Sequence, residues 1–439
     1  MRVARLTRPS HDTRGRRGLV AALLAAALVA TSVGVTAAGS RASWPAADPA
    51  VITDWNATAV ATIVTDAGKA NAEAFIWYGF VHAAIYNAVV GITGKYTPYK
   101  WHPRAPRGAS PEAAAASAGY HLLLHYFPAS QPRLDADYAA SLDGIPDGRA
   151  KDRGIAFGER AANRIIALRE DDGRNAPVTF DTPLAPGVWR PTPPAFAPFF
   201  APWMGQMRPL LIRSADQFRP NEPPALTSRR YARDFNEVKE TGAATDSTRT
   251  PLMTETALFF AGLGLPALQV SLRDLVTRRG FDISKSARLF AAVDMSIADG
   301  IIVSWDSKFH FGFWRPVTAI QLADTDGNPA TEADADWLPI VNTPPYPDYT
   351  SGMSSVIGAL TRSLTRVLGT RRVDLNIAST SGVTRHYEFA GQLDRDVIDA
   401  RVWSGIHFRF ADTAGNRQGH RVADWALARY FKPKHKHRH

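Results

Sequence analysis

The chain has 439 residues, no cysteine, and 51 Lys plus Arg against 41 Asp plus Glu, for a formal net charge of +10. The lack of cysteine excludes disulfides and thiol catalysis, so stability must come from burying a core, and the length suffices for one or two of them. Much of the positive excess lies at the ends, in Arg2, Arg5, Arg8, Arg14, Arg16 and Arg17 and in the tail residues Lys432, Lys434, Lys436 and Arg438. The body is then close to neutral, and no nucleic-acid footprint is indicated.

In chain order, residues 1–42 read as a secretory signal. A basic stretch ending in Arg16-Arg17 precedes an apolar run from Leu19 to Ala38, and the small residues Ala37, Ala38 and Ala42 offer an exit for cleavage. The paired arginines suit the twin-arginine route. The expectation is an exported, extracellular protein without a stable membrane anchor; the rival reading, a retained single anchor, fits the small-residue exit less well.

Residues 43–182 form a helical region. Helical spacing of Ala, Val, Ile and Tyr predicts one long helix from about Asp54 to Ile92. Ser110-Pro111-Glu112 is a helix start, with a hydroxyl cap and proline in the first turn, and that helix stops at Tyr126-Phe127 before Pro128. Another runs from about Asp147 to Glu170. Residues 183–228 crowd prolines among Trp189, Phe196, Phe199, Phe200 and Trp203, which forbids continuous helix or sheet and predicts an ordered connector.

Helical patterning resumes near Arg229 and fills residues 229–431. Leu289, Val293, Ile297, Ile301 and Trp305 recur every fourth residue and draw a buried ridge on a helix beginning at Ser284. A second helix starts at Thr350 or Ser351, and a last one spans about Asn416 to Phe431. Residues 432–439 are a basic His/Lys tail, expected to fray. Alternating strand patterns are scarce. The expectation is an all-α fold of two packed helical bundles joined by the Pro/aromatic connector, with the functional site in the C-terminal bundle.

Three segments of that bundle carry chemistry. Lys308 and Arg315-Pro316 stand two helical turns apart, though Gly312 and Pro316 can bend the path between them. Ser351-Gly352 opens a helix, whose first amides lack internal partners and carry the positive end of the dipole. Arg401 and His407 flank Ser404-Gly405, a helix end or bend that would let both side chains converge. Taken singly, these residues also fit snorkelling cations, an ordinary hydroxyl cap and a core histidine. Their combination matches what a tetrahedral oxyanion needs: fixed donors, surplus positive charge and one nitrogen for the central atom.

Lys-x6-Arg-Pro, Ser-Gly-x and Arg-x3-Gly-x-His, in this order, resemble the signature of the vanadium-dependent haloperoxidases, whose site is shared with the type 2 phosphatidic acid phosphatases. The stretches ARVWSGIHFRFAD and Trp189-Arg190-Pro191-Thr192-Pro193-Pro194 are similar to secreted bacterial members. The resemblance implies that Lys308, Arg315 and Arg401 neutralise the oxygens of vanadate or phosphate, with Ser351 and the Gly352 amide donating to them. It implies that His407 bonds vanadium directly, or attacks phosphorus in a phosphatase. The implied partners are hydrogen peroxide and a halide or small organic substrate. Three readings follow: a haloperoxidase, a phosphatase, or a scaffold that binds an oxyanion without turnover.

Two positions depart from the family. Met353 stands where the resemblance calls for a proton-transferring His, and a thioether has no proton to give near neutral pH. Tyr346 stands where chloroperoxidases resemble one another in having Phe and bromoperoxidases His. By residue type, Asp348, Tyr349, His310 and His386 are candidates to move the proton instead. Met353→His is expected to raise whichever turnover exists, by up to the roughly hundred- to ten-thousandfold that a positioned acid or base supplies. Peroxide-dependent dye bromination and hydrolysis of a chromogenic phosphate read it; no gain in either counts against the alignment.

Overall fold

A computed structural model describes residues 47–434 other than Leu265; the expected signal segment 1–42 and the end of the tail lie outside the described residues. Helix α1 (Ala50–Val60) runs into a π-helical turn, and α2 (Asn71–Thr93) begins only after Gly68 at φ +61°. The single helix expected over this stretch is therefore two, because a left-handed glycine ends the first. Helix α2 is long and apolar enough to cross a membrane by length and composition, but 89% of its apolar window is buried inside the fold.

Helix α3 (Pro111–Tyr126) starts at the expected cap, with Ser110 Oγ accepting from the Ala113 amide at 3.0 Å. Helix α4 (Gln131–Asp143) went unread because it is polar and buries only Leu134 fully, which leaves its apolar period faint. Helix α5 (Arg149–Leu168) presses on α3 through Gly154 and Gly158, where a methyl group would overlap the Ser110 and Ala114 carbonyls.

The proline-rich connector is ordered, as expected. Its Trp189 amide donates to the Gly312 carbonyl at 2.7 Å and its Phe200 amide to Pro345 at 2.9 Å. It is thereby strapped across the segments that bear the candidate site.

Helices α6 (Arg229–Gly242), α7 (Pro251–Ala261) and α8 (Ala267–Arg278) precede α9 (Ile283–Phe311). The predicted ridge on α9 is buried from Leu289 to Trp305, and the helix continues through Lys308 to Gly312 at φ +53°. Helix α10 (Pro316–Gln321) follows, capped at Arg315. Lys308 and Arg315 thus do not share a helical face; the glycine turn brings them together instead.

Helix α11 (Gly352–Leu368) is capped by Ser351. Strands β1 (Arg372–Ala378) and β2 (Thr384–Phe389) make an antiparallel hairpin that the sequence reading missed, with Leu375 opposite Tyr387. Helix α12 (Ala390–Trp403) ends before Gly405 at φ +79°, the anticipated bend. Helix α13 (Arg409–Arg429) begins seven residues ahead of the expected Asn416.

The chain is mostly helical, and α9 packs against α2 as well as against α11 and α13. Two apolar cores meet beside the motifs: Ala400 and Met353 belong to the larger, and Val402 and Tyr349 to a smaller one with Trp314 and Phe408. Glycines set how closely α13 approaches α11. A methyl on Gly415 would overlap Ser351 backbone, and one on Gly419 the Ser355 carbonyl. Gly419→Ala should cost about 1–3 kcal/mol, as overpacking does. Urea unfolding measures it, and an unchanged midpoint contradicts the close approach.

Candidate oxyanion site

The seven motif residues come from four places in the fold and converge. Lys308 is fully buried near the end of α9, where its ammonium donates to the Pro347 carbonyl at 2.6 Å and the Asp348 carbonyl at 3.1 Å. Both acceptors lie on the proline-held loop that leads into α11. Burial, followed by the charge of Arg315, pushes the Lys308 amine well below its ordinary range.

Arg315 is also fully buried. Its Nε donates to the Tyr346 carbonyl at 2.7 Å and its Nη1 to the Ile406 carbonyl at 2.6 Å, which ties the α9–α10 turn to the loop after α12. Tyr346 packs its ring beneath both cations, 4.8 Å from the Lys308 nitrogen and 4.9 Å from the Arg315 guanidinium. Arg315 Nη2 and Arg401 Nε are buried without a hydrogen-bond partner among the described residues. Orphaned charged donors are costly in an interior, and an anion would satisfy both.

Ser351 and Gly352 are buried at the start of α11, where the helix offers unpaired amides. A Cβ on Gly352 would come within 3.1 Å of the Trp305 ring, so the residue is held small from that side. Met353 is half-buried and packs into the larger core; it faces a cleft also lined by Tyr346, Gly352, Arg401 and Ile406.

His407 is buried, and its Nε2 lies 3.1 Å from Arg315 Nη1. Its Nδ1 lies 2.6 Å from Asp348 Oδ1. The Arg315 Nη1 donor lies near both ring nitrogens, 3.1 Å from Nε2 and 3.3 Å from Nδ1. The short contact with Asp348 suits the tautomer in which Nδ1 donates to the carboxyl and Nε2 keeps its lone pair. Burial pushes the Asp348 carboxyl up to about 8, while Arg315 and Lys308 pull it down. Burial and the neighbouring cations push His407 well down, so the imidazole is neutral and Nε2 offers a lone pair.

Sequence reasoning weighed Asp348 by residue type alone, and it is the candidate that reaches the cage. His310 is exposed on α9, His386 is exposed on β2 and bonds Asn376 at 2.9 Å, and the Tyr349 hydroxyl donates to the Asn221 carbonyl. Asp412 was missed. It is buried on α13, accepts from Ser354 Oγ at 2.8 Å, and burial pushes it up to about 7 against the hydroxyls of Ser351 and Ser354 and the charge of Arg401. Nothing in the sequence marks it, because an aspartate five residues past a histidine has no characteristic meaning.

The donor set fits an oxyanion. Among the described residues no cluster of three or more His, Asp or Glu side chains is placed to hold a bare metal cation. Cations, amides and one imidazole instead surround the orphaned donors.

Residues 288–435 match the model of the VCPO second helical-bundle domain. Vanadium chloroperoxidase of Curvularia inaequalis is 24% identical over 350 residues, 60% of this chain and 57% of that protein, so the match spans little more than half of the relative's length. A bacterial vanadium-dependent iodoperoxidase shares the fold, with a TM-score of 0.74, 20% identity, and coverage of 89% of this chain and 98% of that one. A holo-type bacterial vanadium-dependent chloroperoxidase gives a TM-score of 0.68 at 17% identity, over 87% and 97% of the two chains. The fold is the two-helical-bundle fold of these proteins, and residues 288–435 carry the domain that the family model describes.

Asp348 holds the His407 ring through Nδ1. Asp348→Asn presents an amide donor to Nδ1 and turns Nε2 into a donor, so vanadate affinity should fall about 10- to 100-fold, as loss of a partner behind a ligating histidine typically does. Calorimetric titration with orthovanadate reads this, and an unchanged affinity removes Asp348 from the site.

Proposed function

We propose that the protein is an exported vanadium-dependent haloperoxidase that uses peroxide to oxidise halide or an organic substrate. The carrying observation is that two buried guanidinium groups, Arg315 and Arg401, keep unpartnered donors beside the imidazole of His407. Vanadate, when bound, supplies a Lewis acid that polarises peroxide without changing its own oxidation state. The remaining work falls to the chain. Lys308, Arg315 and Arg401 would hold the oxygens, Ser351 and the Gly352 amide would donate to them, and His407 Nε2 would supply the ligand bond.

Met353 can neither hold nor move a proton. Asp412 offers a substitute: it accepts from Ser354 Oγ, and burial pushes its carboxyl up to about 7. Its protonated form, present below that value, can supply a proton at the start of α11, where it meets the Ser354 hydroxyl. The proton-requiring step should therefore slow as pH rises through about 7. Asp412→Asn should lose that limb of the profile and about a hundredfold or more in rate, while still taking up vanadate. A variant with the parental pH profile sends the proton elsewhere.

A phosphatase is the second reading. Phosphate has the same shape and charge as vanadate, and an imidazole steadied at Nδ1 by Asp348 suits nucleophilic attack. Purified protein loaded with vanadate separates the readings. Peroxide-dependent bromination of a dye supports the first, hydrolysis of a chromogenic phosphate the second, and uptake without either activity leaves an oxyanion-binding scaffold. Failure to take up either anion overturns all three.

A further inference from the structure

The outer face of α5 and the loop before α3 carry a stripe of positive charge that the cage does not use. Arg153, Arg160 and Arg164 stand seven and four residues apart, so they share one side of the helix. Each donates to a carbonyl rather than a carboxylate: Arg153 to Arg107 at 2.8 Å, Arg160 to Arg104 at 3.4 Å and Arg164 to Lys100 at 2.9 Å. The accepting loop thus brings three further cations to the same line. Asp152 and Glu159 point about 100° round the helix from their arginine neighbours and leave the stripe uncompensated.

The stripe runs on into a cleft of about 490 Å³ to which Lys100, Arg208, Arg213 and Arg429 contribute, with no carboxylate among its walls. Asp299 fixes one wall from inside, accepting the Leu210, Leu211 and Ile212 amides at 2.6, 2.7 and 2.9 Å, so its charge is spent on backbone. Lys100 stands at φ +45°, a strained conformation for a lysine; its carbonyl takes the Arg164 bond while its ammonium holds the Leu210 carbonyl at 2.8 Å. Arg164 is half-buried, and the other arginines of the track are exposed. Like charges gathered on one surface repel, and an anionic partner relieves them.

The partner's chemistry follows from length, aromatic faces and apolar wall. The three α5 arginines span about 16 Å of helix, the reach of about five or six residues of extended chain, whose alternate side chains face one way. Ring faces on which a single-stranded nucleic acid would stack are taken. The Arg429 guanidinium lies 3.2 Å from the Trp425 ring centre, and that of Arg160 5.1 Å from the Phe157 ring centre. Pro209, Leu211 and Ile212 give the cleft an apolar wall, which suits a peptide side chain better than a sulfated sugar.

We propose that this track docks an extended acidic segment of a partner protein, its carboxylates lying along α5 and its end entering the cleft. Arginine forks pair such carboxylates bidentately. Docking there needs nothing from the oxyanion cage.

The test is fluorescence anisotropy of a labelled peptide in which Glu alternates with Ala and a Leu ends the chain, titrated with the full-length protein. Saturable binding is expected at about 0.01 M salt, where charges act over about 30 Å, and at least tenfold weaker binding at about 0.1 M, where they act over about 10 Å. Arg160→Gln/Arg164→Gln and Arg208→Gln/Arg429→Gln should each weaken binding about three- to tenfold, as loss of two exposed ion pairs does. The glutamines can still donate to the loop carbonyls, and circular dichroism checks that the fold persists. Arg395→Gln, exposed on α12 outside the track, should bind as the parent does. No saturable binding at low salt, indifference to both double variants, or equal loss in Arg395→Gln overturns the dock. A thymidine oligonucleotide or a sulfated polysaccharide of equal charge that binds more tightly than the peptide overturns the choice of partner.

Discussion

Everything in this protein turns on keeping three positive side chains close together out of water. Lys308, Arg315 and Arg401 are each at least nine-tenths buried, and isolated charges in such surroundings are expensive. Backbone carbonyls of Tyr346, Pro347, Asp348 and Ile406 absorb part of that cost. The aspartates nearby absorb little, because burial pushes Asp348 and Asp412 toward their neutral forms. The balance that remains is positive, with guanidinium donors unspent. An oxyanion guest is the natural counter-charge, and its arrival would favour the protonated form of Lys308, so anion binding and proton uptake are coupled.

The surrounding helices serve that concentration of charge. Helix α9 is anchored along a fully buried ridge, which fixes Lys308 at its end without freedom to reach water. Gly312 turns the chain so that Arg315 returns toward the same point, and the Trp189 amide pins that turn from the connector. Helix α11 meets α13 across bare glycines, which holds Ser351 against the backbone at Ala411. Backbone hydrogen bonds and close helix contacts hold the cage residues from several sides, and such preorganisation lowers the ordering cost of binding.

Proton handling and substrate choice are separable in this arrangement. The cationic and amide donors expected of an oxyanion site stand at the motif positions, while Met353 belongs to an apolar wall. Carboxyls pushed up by burial, Asp348 on the loop and Asp412 on α13, do not line that wall. A site built this way exchanges a directly placed proton carrier for a drier cleft.

The sequence by itself determined the class of fold, the ridge of α9, the caps at Ser110 and Ser351, the bend at Gly405 and the order of the seven cage residues. These are legible because periodicity, capping and glycine conformation are local, acting over a few residues. It left α4 and the β1–β2 hairpin unread, since a polar helix and a short two-stranded ribbon carry weak periods. Only the tertiary structure decided that Asp348, rather than His310, His386 or Tyr349, stands behind His407, that Asp412 meets Ser354, and that Phe75 and Phe260 close a cleft onto Met353. Those relations depend on which distant segments share a buried volume, and burial sets the pKa of a carboxyl and the reach of a charge in ways that no local pattern records.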